Sequence, residues 1–342
     1  MIGGPSHSAS DRSEGPTDVH GDVHARGAAH DHAVNVLAGG PPAWLRAVLR
    51  EALERDAGAY PDERPAAEAI AARHGCDPAE VVLLNGAAQG YALLAALDPR
   101  RPAIVHPQFT EPDRALAAFA PRHVVLAAPW TPRAEDVPEA VDLVVVGRPV
   151  NPTGVLPAAE ELLAMAGEAR TVVVDEAFLP FTPERSLADG GAPAGTIVLR
   201  SVTKHLSIPG LRAGYLVARA TTAAVLRAAR PAWSVNALAL AALAADAELG
   251  PDEELPRRTA AARAALGAEL RALGVTVHDG AANFLLVEIE DAPRVIARLR
   301  DEHSIAVRPA HTFPGLTRDH VRLTVRGGAD DARLVTALAG LL

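Results

Sequence analysis

The chain contains a single lysine, Lys204, although 33 of its residues are lysine or arginine. A guanidinium group stays protonated inside proteins, whereas a desolvated lysine amine can lose its proton and attack a carbonyl carbon. We therefore interpret Lys204 as a candidate nucleophile that forms a Schiff base. A surface lysine that has survived by chance in an arginine-rich composition is the alternative interpretation.

Two further groups that can bind a ligand follow apolar runs typical of buried strands. The run "VVLL" ends at "NGAAQG", a small-residue turn that opens a helix, and its backbone amides at Gly86, Ala87 and Ala88 can bind an anion. The run "DLVVVG" is followed by Asn151. Small residues in such a turn also serve packing, so the turn alone is a weak indication.

Charged and hydroxyl side chains follow the next two apolar runs. Asp175 ends "TVVVD", and "TIVLR" leads to Ser201 and Lys204, with Arg212 eight residues beyond the lysine. In open α/β sheets, ligands bind beyond the carboxyl ends of the strands, so these groups are expected to meet at one edge. A phosphate-binding turn, an amide, a carboxylate and a lysine together are what pyridoxal 5′-phosphate requires.

Apolar strands alternating with helices predict an α/β fold whose main sheet is largely parallel and covered on both faces. Helices are predicted near residues 42–55, 222–230, 236–248, 257–273 and 292–300. We divide the chain into an N-terminal arm (1–40), a large cofactor-binding domain (41–218) and a smaller α+β domain (219–342). The arm is polar, and its histidines lack metal-ligand spacing, so we interpret it as a partly unstructured segment and predict no metal site.

The composition indicates a small-molecule partner. The net charge of -9 offers no general attraction to nucleic acid or to acidic membranes, and no apolar run is long enough to span a bilayer. Cys76 is the only cysteine, which excludes an intrachain disulfide and fits a reducing compartment. We therefore expect a cytoplasmic protein. A dinucleotide-dependent dehydrogenase is disfavoured because no G-x-G-x-x-G opens the first strand–helix unit.

The motifs "NPTG", "DEAF", "RSVTKHLSIPGLRAGY" and "FPGL…VRLTVR", in this order, resemble fold-type I pyridoxal-phosphate enzymes of the aminotransferase superfamily. The resemblance covers roughly residues 20–342. Within it, "SIPGLRAGYL" followed by "PAWSVNALA" is most similar to the decarboxylases that convert L-threonine O-3-phosphate into (R)-1-aminopropan-2-ol O-phosphate and carbon dioxide for cobalamin biosynthesis. A histidinol-phosphate-type aminotransferase is the first alternative, and a non-catalytic cofactor-binding protein is the second.

The resemblance implies a role for each candidate cofactor residue. Lys204 would carry the cofactor, Asp175 would pair with its ring nitrogen and Asn151 with its ring hydroxyl. Phe109 would stack on the ring, although core packing explains it nearly as well. Tyr60 would reach the cofactor phosphate of a neighbouring subunit, which implies a homodimer. The cofactor phosphate would be held by Ser201, Arg212 and the turn at Gly86, Ala87 and Ala88.

The resemblance also implies that the substrate is a small phosphorylated amino acid. Arg326 would bind its α-carboxylate and Arg308 a second anion, while Asn35 and His20 in the arm would close over it. Three features depart from the wider family. The turn "NGAAQG" lacks the hydroxyl and acidic residues common in relatives, so its backbone amides must do more of the phosphate binding. Phe178 stands where many aminotransferases have a tyrosine, and the phosphothreonine decarboxylases resemble this sequence in having phenylalanine there. The glycine-rich arm motif of relatives is reduced to "HGDV".

Overall fold

The computed structural model describes residues 21–342, so the predicted arm residue His20 lies outside the described residues. Within this range the chain forms a seven-stranded sheet, a four-stranded sheet and a two-stranded pairing. The strands are β1 His30–Asp31, β2 Val81–Asn85, β3 Pro102–His106, β4 Arg122–Val125, β5 Leu143–Gly147, β6 Thr171–Asp175, β7 Thr196–Ser201, β8 Ala213–Ala218, β9 Thr276–His278, β10 Phe284–Glu288, β11 Ile305–Ala306, β12 Arg308–Pro309 and β13 His320–Thr324.

Helices follow most of these strands. They are α1 Gly21–Ala25, α2 Ala43–Asp56, α3 Arg64–His74, α4 Ala87–Leu93, α5 Glu111–Ala115, α6 Ala159–Met165, α7 Ala220–Ala229, α8 Ala237–Leu249, α9 Glu254–Ala272, α10 Ala292–His303 and α11 Gly328–Ala339. None of the helices in the described part of the chain is long and apolar enough to cross a bilayer.

The large sheet has the order β2-β8-β7-β6-β5-β3-β4 and is parallel except for β8, which runs antiparallel to both of its neighbours. Alternate residues of each strand enter different cores. Val81 and Leu83 of β2 pack with α2, α3, α6 and α8, whereas Val82 and Leu84 pack with α4 and α7. Burial on both faces explains why consecutive residues in the middle of these strands are apolar. The sheet confirms the predicted α/β architecture with largely parallel strands.

The four-stranded sheet is antiparallel, with the order β12-β13-β10-β9. One face packs on α9, α10 and α11 through Leu266, Leu299 and Leu334. From the other face, Phe284 joins a small core with Phe178, so this sheet faces the edge of the large sheet where the predicted site lies. The predicted division at residue 218 falls at the end of β8 and stays a prediction.

The described part of the arm is attached to the C-terminal sheet region. Its strand β1 pairs in parallel with β11, and the His32 amide donates to the Ala306 carbonyl at 2.7 Å. Further along, the Leu37 amide donates to the carbonyl of Lys204 at 3.1 Å. The arm therefore connects the C-terminal sheet to the turn that carries the lysine.

Candidate active site

Lys204 lies in the turn after β7, at the carboxyl edge of the large sheet. Burial lowers the pKa of its amine to about 8, and the positive charges of Arg322 and Arg212 act in the same direction, while Asp175 opposes them. A lysine with an ordinary pKa near 10.5 is almost entirely protonated at neutral pH. The environment of Lys204 therefore raises the fraction of neutral, nucleophilic amine at neutral pH.

Asp175 ends β6 and is held by two hydrogen bonds. The Ala177 amide donates to its Oδ1 at 2.9 Å, and the Tyr91 hydroxyl donates to its Oδ2 at 2.5 Å. Burial raises the pKa of Asp175, whereas the hydrogen bond from Tyr91 lowers it. The sequence analysis missed Tyr91 because "GYALL" has the pattern of an ordinary core helix.

Asn151 follows β5 and meets an arginine from the C-terminal sheet. Nη1 of Arg322 donates to Asn151 Oδ1 at 2.5 Å, and Nη2 donates to the Ala33 carbonyl at 2.6 Å. The guanidinium carbon lies 5.5 Å from the centre of the Phe284 ring. Nε of Arg322 is buried and has no hydrogen-bond partner among the described residues. This donor fits an anionic group of a ligand.

The turn before α4 lies directly against Arg212. Gly86 has φ +79°, and a Cβ atom there would lie 2.6 Å from Nη2 of Arg212. Across the turn, a Cβ on Gly214 would lie 2.7 Å from the Ala87 amide nitrogen. The first amides of a helix, here those of Ala87 and Ala88, have no intrahelical acceptor. The structure thus brings Arg212 to the predicted anion-binding turn.

Ser201 ends β7, and Phe109 comes three residues after the end of β3 in the same sheet. The Ser201 hydroxyl is buried at the end of β7 and lies 2.8 Å from the Thr203 hydroxyl. The Phe109 ring is half-buried, with its centre 6.4 Å from that of Tyr91, the residue bonded to Asp175. Phe109 is therefore placed close to the carboxylate that would hold a cofactor ring.

Tyr60 is not part of this cluster within one chain. Its side chain is 78% exposed and stacks on Trp233, with ring centres 4.6 Å apart. The predicted role of Tyr60 concerns a neighbouring subunit and stays a prediction.

Arg326 was predicted to bind the substrate α-carboxylate, but in the structure its guanidinium group contacts the arm. Nε donates to the Asp31 carbonyl at 2.5 Å, Nη2 donates to the Val34 carbonyl at 2.8 Å, and Nη1 donates to the Val36 carbonyl. Nη2 also lies 3.1 Å from the Asp31 carboxylate. A guanidinium with these partners holds the arm in place, and Arg322 is the arginine that reaches Asn151.

Arg308 and Arg322 are Cα partners on adjacent strands, β12 and β13, and both are buried. Burial lowers the pKa of Arg308 to about 10. Burial and then the charge of Arg308 lower the pKa of Arg322 to about 9. Two adjacent buried guanidinium groups, one of which lowers the pKa of the other, make a site that favours an anion.

The arm covers this arginine pair. Nη1 of Arg308 donates to Nε2 of His24 at 3.0 Å, and Nη2 donates to the Thr312 hydroxyl at 2.9 Å. Burial and the charge of Arg308 lower the pKa of His24 to about 4, so its imidazole is neutral at pH 7. His24 is a second site residue that the sequence analysis missed, because a contact across 284 positions has no local signature.

Asn35 is also brought to the site. It is buried, and its Oδ1 accepts a hydrogen bond from the Thr324 hydroxyl at 2.6 Å. Its Nδ2 has no hydrogen-bond partner in the described part of the chain. A buried donor without an acceptor is costly, so this amide fits an acceptor atom of a bound ligand.

A buried lysine with a lowered pKa, a carboxylate at a strand end, a small-residue turn beside an arginine and a covering arm make an arrangement that fits pyridoxal phosphate. The chain belongs to the family of class I and II aminotransferases, whose model matches residues 32–341. Pyridoxal 5′-phosphate is therefore its cofactor, and the side chains described above fit it.

Two curated relatives have different activities in their names. A histidinol-phosphate aminotransferase of Mycobacterium bovis is 42% identical over 324 residues, which cover 90% of this chain and 86% of the relative. The threonine-phosphate decarboxylase of Salmonella typhimurium is 35% identical over 295 residues, which cover 79% of each chain. Of these two relatives, the aminotransferase is the more similar in sequence to this chain.

Solved structures of proteins named for both activities are similar to this chain. A histidinol-phosphate aminotransferase of Clostridium acetobutylicum matches with TM-score 0.82 and 25% identity, covering 91% of this chain and 98% of the other. The L-threonine-O-3-phosphate decarboxylase of Porphyromonas gingivalis matches with TM-score 0.81 and 25% identity, covering 90% and 98%. A histidinol-phosphate aminotransferase of Sinorhizobium meliloti, solved in complex with pyridoxal 5′-phosphate, matches with TM-score 0.80 and 22% identity, covering 94% and 92%. The fold therefore does not separate the two reactions.

Proposed function

We propose that this chain is a pyridoxal-phosphate-dependent aminotransferase of the histidinol-phosphate type, acting on a small amine that carries a phosphate. The buried pair Arg308 and Arg322 is the observation that carries the substrate class, and the 42% identical relative supports the reaction. Transamination also needs an acceptor keto acid, and an acceptor with two carboxylates such as 2-oxoglutarate suits the same two arginines.

We propose which residues of this chain contact the bound cofactor. Lys204 would carry the cofactor, with Asp175 on the ring nitrogen and Asn151 on the ring hydroxyl. The bound cofactor supplies an electron sink for the carbon that bears the substrate nitrogen. Phe109 would cover the ring, and the phosphate would be bound by Ser201, Arg212 and the amides of Gly86, Ala87 and Ala88.

The protein side chains would orient the substrate and move its protons. Arg322 would bind the anionic group nearer the reacting carbon, because its charge already acts on Lys204. Arg308 would bind the distal phosphate, with the arm closing over it through His24 and Asn35. The neutral Lys204 amine would then be free to take a proton from the substrate carbon and return it.

Decarboxylation of L-threonine O-3-phosphate is the second candidate. Phe178, which is buried beside Phe284, is a phenylalanine at a position where this sequence resembles the decarboxylases. A substrate with one carboxylate and one phosphate also matches the two arginines. The reaction is decided by which bond of the substrate is held perpendicular to the cofactor ring, a choice set by Arg322, Arg308 and the arm.

The experiment offers both substrates to the cofactor-loaded protein. Histidinol phosphate with 2-oxoglutarate is expected to yield glutamate, and Lys204→Ala is expected to abolish it. Release of carbon dioxide and aminopropanol phosphate from L-threonine O-3-phosphate, without any keto acid, would replace the aminotransferase by the decarboxylase. Spectral binding of both compounds without turnover of either would favour a non-catalytic binding protein.

We also propose a cytoplasmic homodimer. The exposed pair Tyr60 and Trp233 presents a large aromatic surface, which fits a subunit interface rather than solvent. Light scattering on the wild type and on Trp233→Ala tests this proposal. A monomeric wild type would refute it, and a weakened dimer in the variant would support it.

A further inference from the structure

A second group of potential ligand atoms lies at the outer edge of the large sheet. His106 ends β3, His123 lies in the edge strand β4, and Asp113 lies in α5. Asp113 Oδ1 is 3.3 Å from Nε2 of His106 and 2.6 Å from Nε2 of His123. The three ligand atoms all lie within 4.8 Å of one another.

The hydrogen bonds of this group leave buried polar atoms unsatisfied. Nδ1 of His106 and Oδ2 of Asp113 are buried and have no hydrogen-bond partner among the described residues. The His106 side chain is 0% exposed. The two imidazoles share Oδ1 of Asp113, and Oδ2 has no partner among the described residues, so the hydrogen-bond network is incomplete. The same side chains provide nitrogen and oxygen atoms that can bind a metal ion.

We propose that His106, Asp113 and His123 form a binding site for a divalent transition metal ion of the zinc type. Zinc accepts imidazole and carboxylate ligands in tetrahedral geometry, where bonds of about 2.1 Å place neighbouring ligand atoms about 3.4 Å apart. The separation between His106 and Asp113 already matches at 3.3 Å. The His123 side chain is 45% exposed, so it can turn outward to widen its shorter contact and leave a fourth position for water.

A second triad in the described residues provides an internal comparison. His278, Glu288 and His320 also bring their ligand atoms within 4.8 Å of one another. Here, however, the Thr317 amide donates to Nδ1 of His320 at 3.2 Å. The Thr317 hydroxyl also lies 2.8 Å from this nitrogen, and no buried polar atom of His278, Glu288 or His320 lacks a partner among the described residues. This triad is therefore a complete hydrogen-bonded cluster.

The location indicates what a bound ion does. It ties β3 to the edge strand β4 and to α5, and β3 leads within three residues to Phe109 in the candidate active site. The ion touches none of the residues assigned to cofactor or substrate. Its expected effect is therefore greater stability of this edge, with no part in the reaction.

The test uses the tag-free, cofactor-loaded protein and Zn²⁺ itself, in equilibrium dialysis with metal analysis. His123→Ala is the variant of choice because its side chain is half-exposed, and His278→Ala is the matched control. We expect zinc affinity to fall at least about 10- to 100-fold in His123→Ala, since removing even an outer-sphere partner costs that much. His278→Ala is expected to bind like the wild type.

Two further measurements complete the test. Asp113→Asn, which keeps the shape but loses the charge, is expected to weaken zinc binding as well. Zinc is expected to raise the Tm of the wild type and of His278→Ala but not that of His123→Ala. The proposal is overturned if the wild type binds no zinc at millimolar concentration, or if His123→Ala and His278→Ala lose affinity equally.

Discussion

Replacing Tyr91 by phenylalanine removes one hydroxyl group from the buried surroundings of Asp175 and leaves the ring in place. The hydroxyl donates to Asp175 Oδ2 at 2.5 Å, and Tyr91 is only 2% exposed, so water cannot readily replace it. Without this donor, the pKa of Asp175 rises above its present, already raised, value. A more basic Asp175 competes with the cofactor ring nitrogen for the proton that the chemistry needs there.

The structure sets the size of the effect. A hydrogen bond to a charged group contributes about 1.5–3 kcal/mol, and each 1.4 kcal/mol corresponds to about tenfold in rate. We therefore expect kcat to fall about 10- to 100-fold, with KM changed much less, because Tyr91 is not placed to touch the substrate. Asp175 must be ionised to act, so a higher pKa moves the low-pH limb of the activity profile to higher pH.

The assay measures kcat, KM and the pH profile of the loaded enzyme, together with the nitrogen-15 resonance of the labelled cofactor ring. Tyr215→Phe is the matched control, because the Tyr215 hydroxyl is equally buried but bonds His74 at 2.8 Å. That variant is expected to lose stability and keep its pH profile. An unchanged kcat and an unshifted acid limb in Tyr91→Phe would refute the reasoning.

Three further predictions follow from the same structure. Cofactor loading of the apoprotein needs the neutral amine of Lys204, so its rate is expected to rise with pH and level off near the pKa of about 8; stopped-flow absorbance that still climbs tenfold per unit above that pH would contradict this. Arg322→Gln is expected to raise KM about 10- to 100-fold through loss of a charge-assisted hydrogen bond. Arg326→Gln is expected instead to loosen the arm, seen as faster limited proteolysis, and equal KM rises in both variants would be inconsistent with the assignment. Glu176→Gln removes a fully buried carboxylate that lies within 3.4 Å of two arginines and is expected to lower the free energy of unfolding by about 3–5 kcal/mol; a change below about 1 kcal/mol in a denaturant titration would disagree.

The architecture could be predicted because the buried strands have an unmistakable local signature. Runs such as "LVVVG" and "TVVVD" contain three consecutive buried valines, and polar residues come at or shortly after their ends, where the sheet edge must lie. Asp175 and Asn151 therefore followed from their position after apolar runs, whereas Lys204 was singled out first as the only lysine. The edge strand β4 was not predicted, since three of its four residues are exposed and its pattern lacks an apolar run.

The arginines show where local reasoning stops. Arg322 and Arg326 both lie in "HVRLTVR", four residues apart, so a continuous strand would place them on the same face. However, β13 ends at Thr324, so this alternation of faces no longer holds at Arg326. Tyr91 depends on how α4 is rotated against β6, and His24 depends on where the arm docks. Both are set by packing between segments distant in sequence, which no local pattern records.

The most direct test of the central claim reduces the cofactor-loaded protein with borohydride and maps the modified peptide by mass spectrometry. Because Lys204 is the only lysine, one side-chain amine in the chain can form the bond. The account predicts one pyridoxyl group per chain, on the peptide that contains Lys204, and none on Lys204→Arg. A label found only elsewhere, or an equal label on Lys204→Arg, would contradict it.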